Sequence, residues 1–154
     1  MLEQFIVHIR EKNLLDFKYH YLLAVSGGLD STILAHLLHL SGISFSMAHC
    51  NFGLRGEESD GDETFIREMA RRLGVKVYVK KFETKTYSKT MGISTQMAAR
   101  DLRYEWFEEI LEQQGFEGLV VAHHADDQVE TVLLNLLRGT GIEGMFGMSD
   151  TKDK

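Results

Sequence analysis

Four groups of residues in this chain have the types and spacing to do chemistry. The first is Ser26-Gly27-Gly28-Leu29-Asp30-Ser31, which packs two glycines, two hydroxyls and a carboxylate into one short stretch. An apolar run of strand length, Tyr21 to Val25, precedes it, and Ile33, Leu34, Leu37 and Leu38 follow at helical spacing. The stretch is therefore a strand-to-helix turn, where paired glycines admit a ligand close to the backbone and unsatisfied amides attract an anion. No lysine stands where a Walker A loop carries one, and the spacing is not G-x-G-x-x-G. A carboxylate beside phosphates needs a divalent cation between them, which makes Asp30 the candidate Mg²⁺ ligand. The competing reading of Asp30 or Ser31 is a plain helix cap.

The second group, His49-Cys50-Asn51-Phe52-Gly53-Leu54-Arg55-Gly56, is a polar loop with two glycines. The third is Arg100 and Arg103, three apart on one expected helix face and suited to phosphate or RNA-backbone contacts. Their alternative is an exposed salt bridge to Asp101 or Glu105. The fourth is His123-His124-Ala125-Asp126-Asp127 with Glu130, a run of acids at an expected helix start, where carboxylates serve either as caps or as a seat for a cation. These histidines and aspartates imitate a metal site but lack further ligands at defined spacing. His36 and His39 have no accompanying carboxylate or cysteine and are read as surface or packing residues. The single cysteine, Cys50, forms no internal disulfide, which fits a reducing cytoplasm.

The elements that must position these groups follow from periodicity. An opening helix is expected to about Leu15, then the first strand, the loop, and a helix to about Leu40. Ile43 to Ala48 reads as a second strand, Glu57 to Leu73 as an amphipathic helix stopped by Gly74, and Val75 to Val79 as a third strand. Lys81 to Gly92, rich in lysine and threonine, reads as an exposed loop. A helix from about Ser94 to Gln114 leads to a buried strand, Gly118 to Ala122, and a last helix is expected from about Asp127 to Leu137. Strands alternating with helices predict an α/β fold, a doubly wound and mainly parallel sheet with helices on both faces. Three of the four groups follow expected strands, so such a fold gathers them along the carboxyl rim of the sheet, where ligands bind.

The chain has 154 residues, the size of one domain. No apolar run is long enough to span a membrane and the amino terminus lacks a signal-peptide pattern. The net charge of −6 hides an asymmetry, because Arg67 to Arg103 carries ten basic and three acidic residues. That basic middle reads as a polyanion footprint or as a solvated helix face and loop.

The loop S-G-G-x-D-S resembles the pyrophosphate loop of the N-type ATP pyrophosphatases. With His49 to Ser59, Ala99-Arg100-Asp101-Leu102-Arg103-Tyr104 and His123 to Thr131 in that order, the chain from about Tyr21 to Met148 resembles the N-terminal catalytic domain of the tRNA(Ile)-lysidine synthetase family. Phe52 departs from the family's usual N-H-G. The resemblance implies an adenine nucleotide alpha hydrolase-like fold and an ATP- and Mg²⁺-dependent ligase. Such an enzyme adenylates the C2 oxygen of the wobble cytidine in an isoleucine tRNA with a CAU anticodon, and free lysine then displaces AMP to give lysidine, changing codon reading from AUG to AUA. It implies ATP binding by Ser26, Gly27, Gly28, Leu29, Asp30 and Ser31, and catalysis by Asp30, Asp127, His123 and Arg100. His49, Asn51, Arg55, Arg103, Asp126 and Glu130 become candidates for contacting lysine or tRNA. The implied partners are isoleucine tRNA and free lysine, with no membrane and with room for a homodimer. The chain is expected to be a truncated, single catalytic domain without the family's C-terminal tRNA-binding domains. The rival readings are another adenylating enzyme of this superfamily, either a tRNA thiolase or a small-metabolite amide synthetase, or a non-catalytic ATP-binding module.

Overall fold

Alternation of side chains along the strands decides the layering. The computed structural model describes residues 2–12, 15–54, 56–124 and 132–137. In chain order its elements are α1 (Leu2–Lys12), β1 (His20–Ala24), α2 (Leu29–Ser41), β2 (Ser44–Asn51), α3 (Glu57–Leu73), β3 (Val77–Lys81), α4 (Thr84–Met91), α5 (Thr95–Gln114), β4 (Gly118–His124) and β5 (Val132–Leu137). Tyr21, Leu23, Phe45, Met47 and Val120 point to one face, where Phe5, Ile9, Leu34, Leu38, Ile66 and Met69 of α1, α2 and α3 cover them. Leu22, Ala48 and Leu119 point to the other, under Tyr104, Phe107, Ile110 and Leu111 of α5. Period-two burial on both faces is what a sheet sandwiched between helices requires. Leu22 and Leu23 are fully buried on opposite faces, and truncating either to alanine costs about 2–5 kcal/mol.

The strand order is β3-β2-β1-β4-β5. β1 pairs in parallel with both β2 and β4, β2 in parallel with β3, and β5 runs antiparallel to β4. The chain leaves β1 outward to β2 and β3, then returns to the opposite side of β1 as β4. Order therefore reverses between β1 and β4, and a crevice opens at their carboxyl ends. No helix among the described residues is long and apolar enough to cross a membrane.

Two expectations are corrected. The stretch Lys81 to Gly92 is not a loop, since α4 occupies most of it. Its threonines are weak helix formers, but Thr84 is buried and its Oγ1 donates to the Phe52 carbonyl (3.0 Å). Gly92 closes the helix in the left-handed conformation with its N–H on Lys89 and Ser88 carbonyls, so tertiary contact and a C-terminal stop override propensity. Val132–Leu137 is a strand, not the end of a helix. A short apolar run fits either state, and pairing with β4 decides it. Smaller shifts are that β3 sits two residues later than expected, and that β4 continues through His123 and His124.

Candidate active site

The loop between β1 and α2 is built to leave a helix end open. Gly28 is the N-cap of α2 and brings no side-chain cap. The first helical bond runs from Thr32 N–H to the Gly28 carbonyl (3.2 Å), so the amides of Leu29, Asp30 and Ser31 precede the ladder. The capping alternative fails for both candidates, because Asp30 sits inside the first turn and Ser31 Oγ accepts from the Ser26 amide (3.1 Å). The Ser26 hydroxyl accepts from the Gly28 amide (3.2 Å), lacing the loop to itself. Gly27 has φ +94, and a Cβ there would lie 3.1 Å from the Asp62 carboxyl carbon. The loop thus keeps its shape through short internal bonds and through close approach of α3.

A cleft of about 550 Å³ lies over this loop at the carboxyl rim. Ser26, Asp30 and Ser31 form one wall, the end of β2 (His49 to Phe52) a second, and Arg103, Tyr104 and Phe107 of α5 a third. Buried His49 donates from Nδ1 to the Val25 carbonyl (2.8 Å), so Nε2 is the lone-pair nitrogen of the neutral ring. Asn51, equally buried, gives Nδ2 hydrogens to Asp60 Oδ1 and Glu63 Oε1 (3.0 Å each), while its Oδ1 accepts from the Gly53 amide (3.0 Å). The Asn51 hydrogen bond, with help from Arg67, holds the Glu63 carboxyl below the usual carboxylate range.

Arg103 and Arg100 lie over the Tyr104 ring at 5.0 and 5.6 Å. Arg103 lines the cleft, whereas Arg100 does not. Arg103 Nε is buried without a hydrogen-bond partner among the described residues, a costly state that an anion entering the cleft would relieve. Cys50 also lines the cleft, but burial pushes its thiol up to about 12 despite the pull of Arg103 and Lys80. It is therefore a neutral thiol near pH 7, not a nucleophile.

Of the expected site residues, the structure brings together Ser26, Asp30, Ser31, His49, Asn51 and Arg103 around one cleft, with Gly27 and Gly28 in its floor loop and Leu29 exposed beside it. His123 is placed by its backbone near the end of β4. Arg55, Asp126, Asp127 and Glu130 lie outside the described residues. Sequence reasoning missed Asp62 and Ser59, which line the cleft from α3. Their spacing of three on an acidic amphipathic helix was the available signal. Among the described residues no three His, Cys, Asp or Glu side chains gather as a metal site. That donor set fits Mg²⁺ carried in with phosphates, which asks for only one or two carboxylates and keeps its waters; Asp30, in the first turn of α2 on the cleft wall, is suited to supply one.

A family model described as a PP-loop domain matches residues 2–154. The tRNA(Ile)-lysidine synthase of Bacteroides thetaiotaomicron is 47% identical over 149 residues, covering 96% of this chain and 35% of that protein. Its namesake from Porphyromonas gingivalis is 49% identical over 127 residues, 82% and 28% of the two chains. The one from Clostridium perfringens is 38% identical over 157 residues, 99% and 34%. The chain spans about a third of the length of these curated relatives. Among solved structures, NMN synthetase from Francisella tularensis matches with a TM-score of 0.55 at 16% identity, covering 77% of this chain and 50% of that one. NH3-dependent NAD synthetase from Campylobacter jejuni matches at 0.56 and 16%, covering 77% and 53%. At that identity the likeness is one of fold.

Proposed function

The chain belongs to the PP-loop domain family, and on that premise we propose that it is the adenylating module of a tRNA(Ile)-lysidine synthase. The observation that carries the reading is the uncapped start of α2 behind Gly27-Gly28, opening with Asp30 into a cleft at the β1–β4 switch point. Relatives named tRNA(Ile)-lysidine synthase, similar over nearly the whole chain, support the substrate.

In this reading the loop amides of Leu29 to Ser31 bind the pyrophosphate end of ATP, and Asp30 holds Mg²⁺, which when bound neutralises phosphate charge. The wobble cytidine's C2 oxygen attacks the α-phosphorus and the bond to pyrophosphate breaks. Arg103, whose Nε has no partner among the described residues, takes negative charge that develops on the phosphate. The amine of free lysine, once deprotonated, then bonds to C2 as the bond to AMP breaks. Asp126, Asp127 and Glu130 are proposed to receive the lysine, with His123 beside them, and Arg55 to contact tRNA. Exposed Lys80, Lys81, Lys85 and Lys89 on β3 and α4 add salt-sensitive contacts to its phosphates. The setting is cytoplasmic. The neutral thiol of Cys50 speaks against a thiolase.

The test is pyrophosphate release from ATP·Mg²⁺ with lysine and tRNA transcripts. Release that requires an isoleucine tRNA with a CAU anticodon, with lysine incorporated into it, is expected. Release driven by a small metabolite without tRNA would overturn the reading.

A further inference from the structure

Asn51 occupies an unusual place. It ends β2, is 3% exposed, and each of its polar hydrogens goes to a different carboxylate of the same helix. Asp60 and Glu63 are three apart on α3, so their carboxylates share a face. A neutral amide with two donors is what can sit between them; a carboxylate there adds a third like charge, and an apolar residue removes the donor that ties exposed Asp60 and half-buried Glu63 to β2. The Asn51 carbonyl oxygen is also taken, by the Gly53 amide that starts the turn into α3. On the adjacent flank of α3, Ser59 and Asp62 face the cleft, and Asp62 packs on Gly27 so closely that a Cβ would meet it at 3.1 Å.

We infer that Asn51 is a positioning residue, clamping the first turns of α3 to the end of β2 so that Asp62 presses the phosphate loop into its nucleotide-binding shape. It acts through α3 and does not itself touch the nucleotide. The inference rests on the reading that ATP binds this cleft.

The experiment measures ATP·Mg²⁺ affinity, thermal midpoint and amide exchange of residues 57–63 in five variants of the full chain. The single tryptophan, Trp106, packs on Phe107 of the cleft wall and serves as the fluorescent reporter. Asn51→Asp and Asn51→Ala are expected to quicken exchange in α3 and weaken ATP binding by about tenfold or more. The swap Asn51→Asp with Asp60→Asn and Glu63→Gln, which exchanges the amide for an acid and both acids for amides, restores both. In an Asp62→Ala background, which removes the side chain packed on Gly27, Asn51→Ala causes no further loss of ATP affinity, because the route through α3 is already cut. A folded Asn51→Ala chain that binds ATP and exchanges like the parent overturns the inference. So does a swap that melts like the parent yet still binds weakly, since Asn51 would then contact the ligand. If Asn51→Asp does not fold, the swap and Asn51→Ala decide. A parent chain that binds no ATP sinks the functional reading alone, and the clamp is then judged by exchange in α3: unchanged exchange in Asn51→Ala overturns it.

Discussion

At the amino-terminal end of the sheet, His20 has both ring nitrogens engaged, Nδ1 with Ser44 Oγ and Nε2 with Ser46 Oγ (2.8 Å), and Phe116 packs on its ring at 4.6 Å. At the carboxyl end, His49 uses Nδ1 to fix the Val25 carbonyl and turns its ring toward the cleft. The glycines differ in the same way. Gly42 closes α2 at φ +85 with only Phe17 near its missing Cβ, at 3.8 Å, whereas Gly27 at φ +94 lies against Asp62. One end of the sheet is a closed joint in which polar groups satisfy each other. The other keeps a helix start without a side-chain cap and a buried arginine nitrogen that has no hydrogen-bond partner among the described residues. The lesson is that residue type says little until its hydrogen-bonding capacity has been followed to the last partner.

Glycine substitution should break this comparison most sharply. Gly27→Val adds strain of about 1–3 kcal/mol and a clash with Asp62, which corresponds to a roughly tenfold to hundredfold loss of ATP affinity. Gly42→Ala should cost only about 1 kcal/mol of stability and leave ATP affinity alone. Equal effects of the two on binding would erase the distinction between the ends.

Arg103→Met is expected to weaken ATP binding by about tenfold, the worth of a charge-assisted contact. The thermal midpoint without nucleotide should hold or rise, because a buried nitrogen without a partner among the described residues is removed. A fall in midpoint with unchanged affinity would make Arg103 scaffold.

Acid titration should separate the ends by pH. Burial lowers the His20 pKa, so its contribution is present above about pH 6.5 and is lost as pH falls below it. Glu63 is also depressed, by Asn51 first and then Arg67, but its contribution is present above the ordinary carboxylate range and is lost only as pH falls through that range toward the lower folded value. Stability measured against pH should therefore show a limb below about pH 6.5 that disappears in His20→Asn. A limb unchanged in that variant would contradict the assignment.

Much of this was legible in the chain. Tyr21 to Val25 followed by two glycines dictated a strand, a turn and an anion-attracting helix start, and alternating strands and helices dictated the sheet. What periodicity could not supply was tertiary. Thr84 to Met91 becomes helical because Thr84 is buried against Phe52, and Val132–Leu137 becomes a strand because β4 offers its edge. Asn51 looked like a ligand residue because its motif stands at the rim. Only the positions of Asp60 and Glu63, a helix away in sequence, reveal where its hydrogens go.

The central claim is that the loop after β1 is the phosphate site. Amide NMR spectra of the chain titrated with ATP·Mg²⁺ test it directly. The largest shifts should fall on Gly27 to Ser31, with smaller ones at Asp62 and Arg103, and none at His20, Ser44 or Gly42. Saturable shifts centred elsewhere, with Gly27 to Ser31 unmoved, would contradict the account.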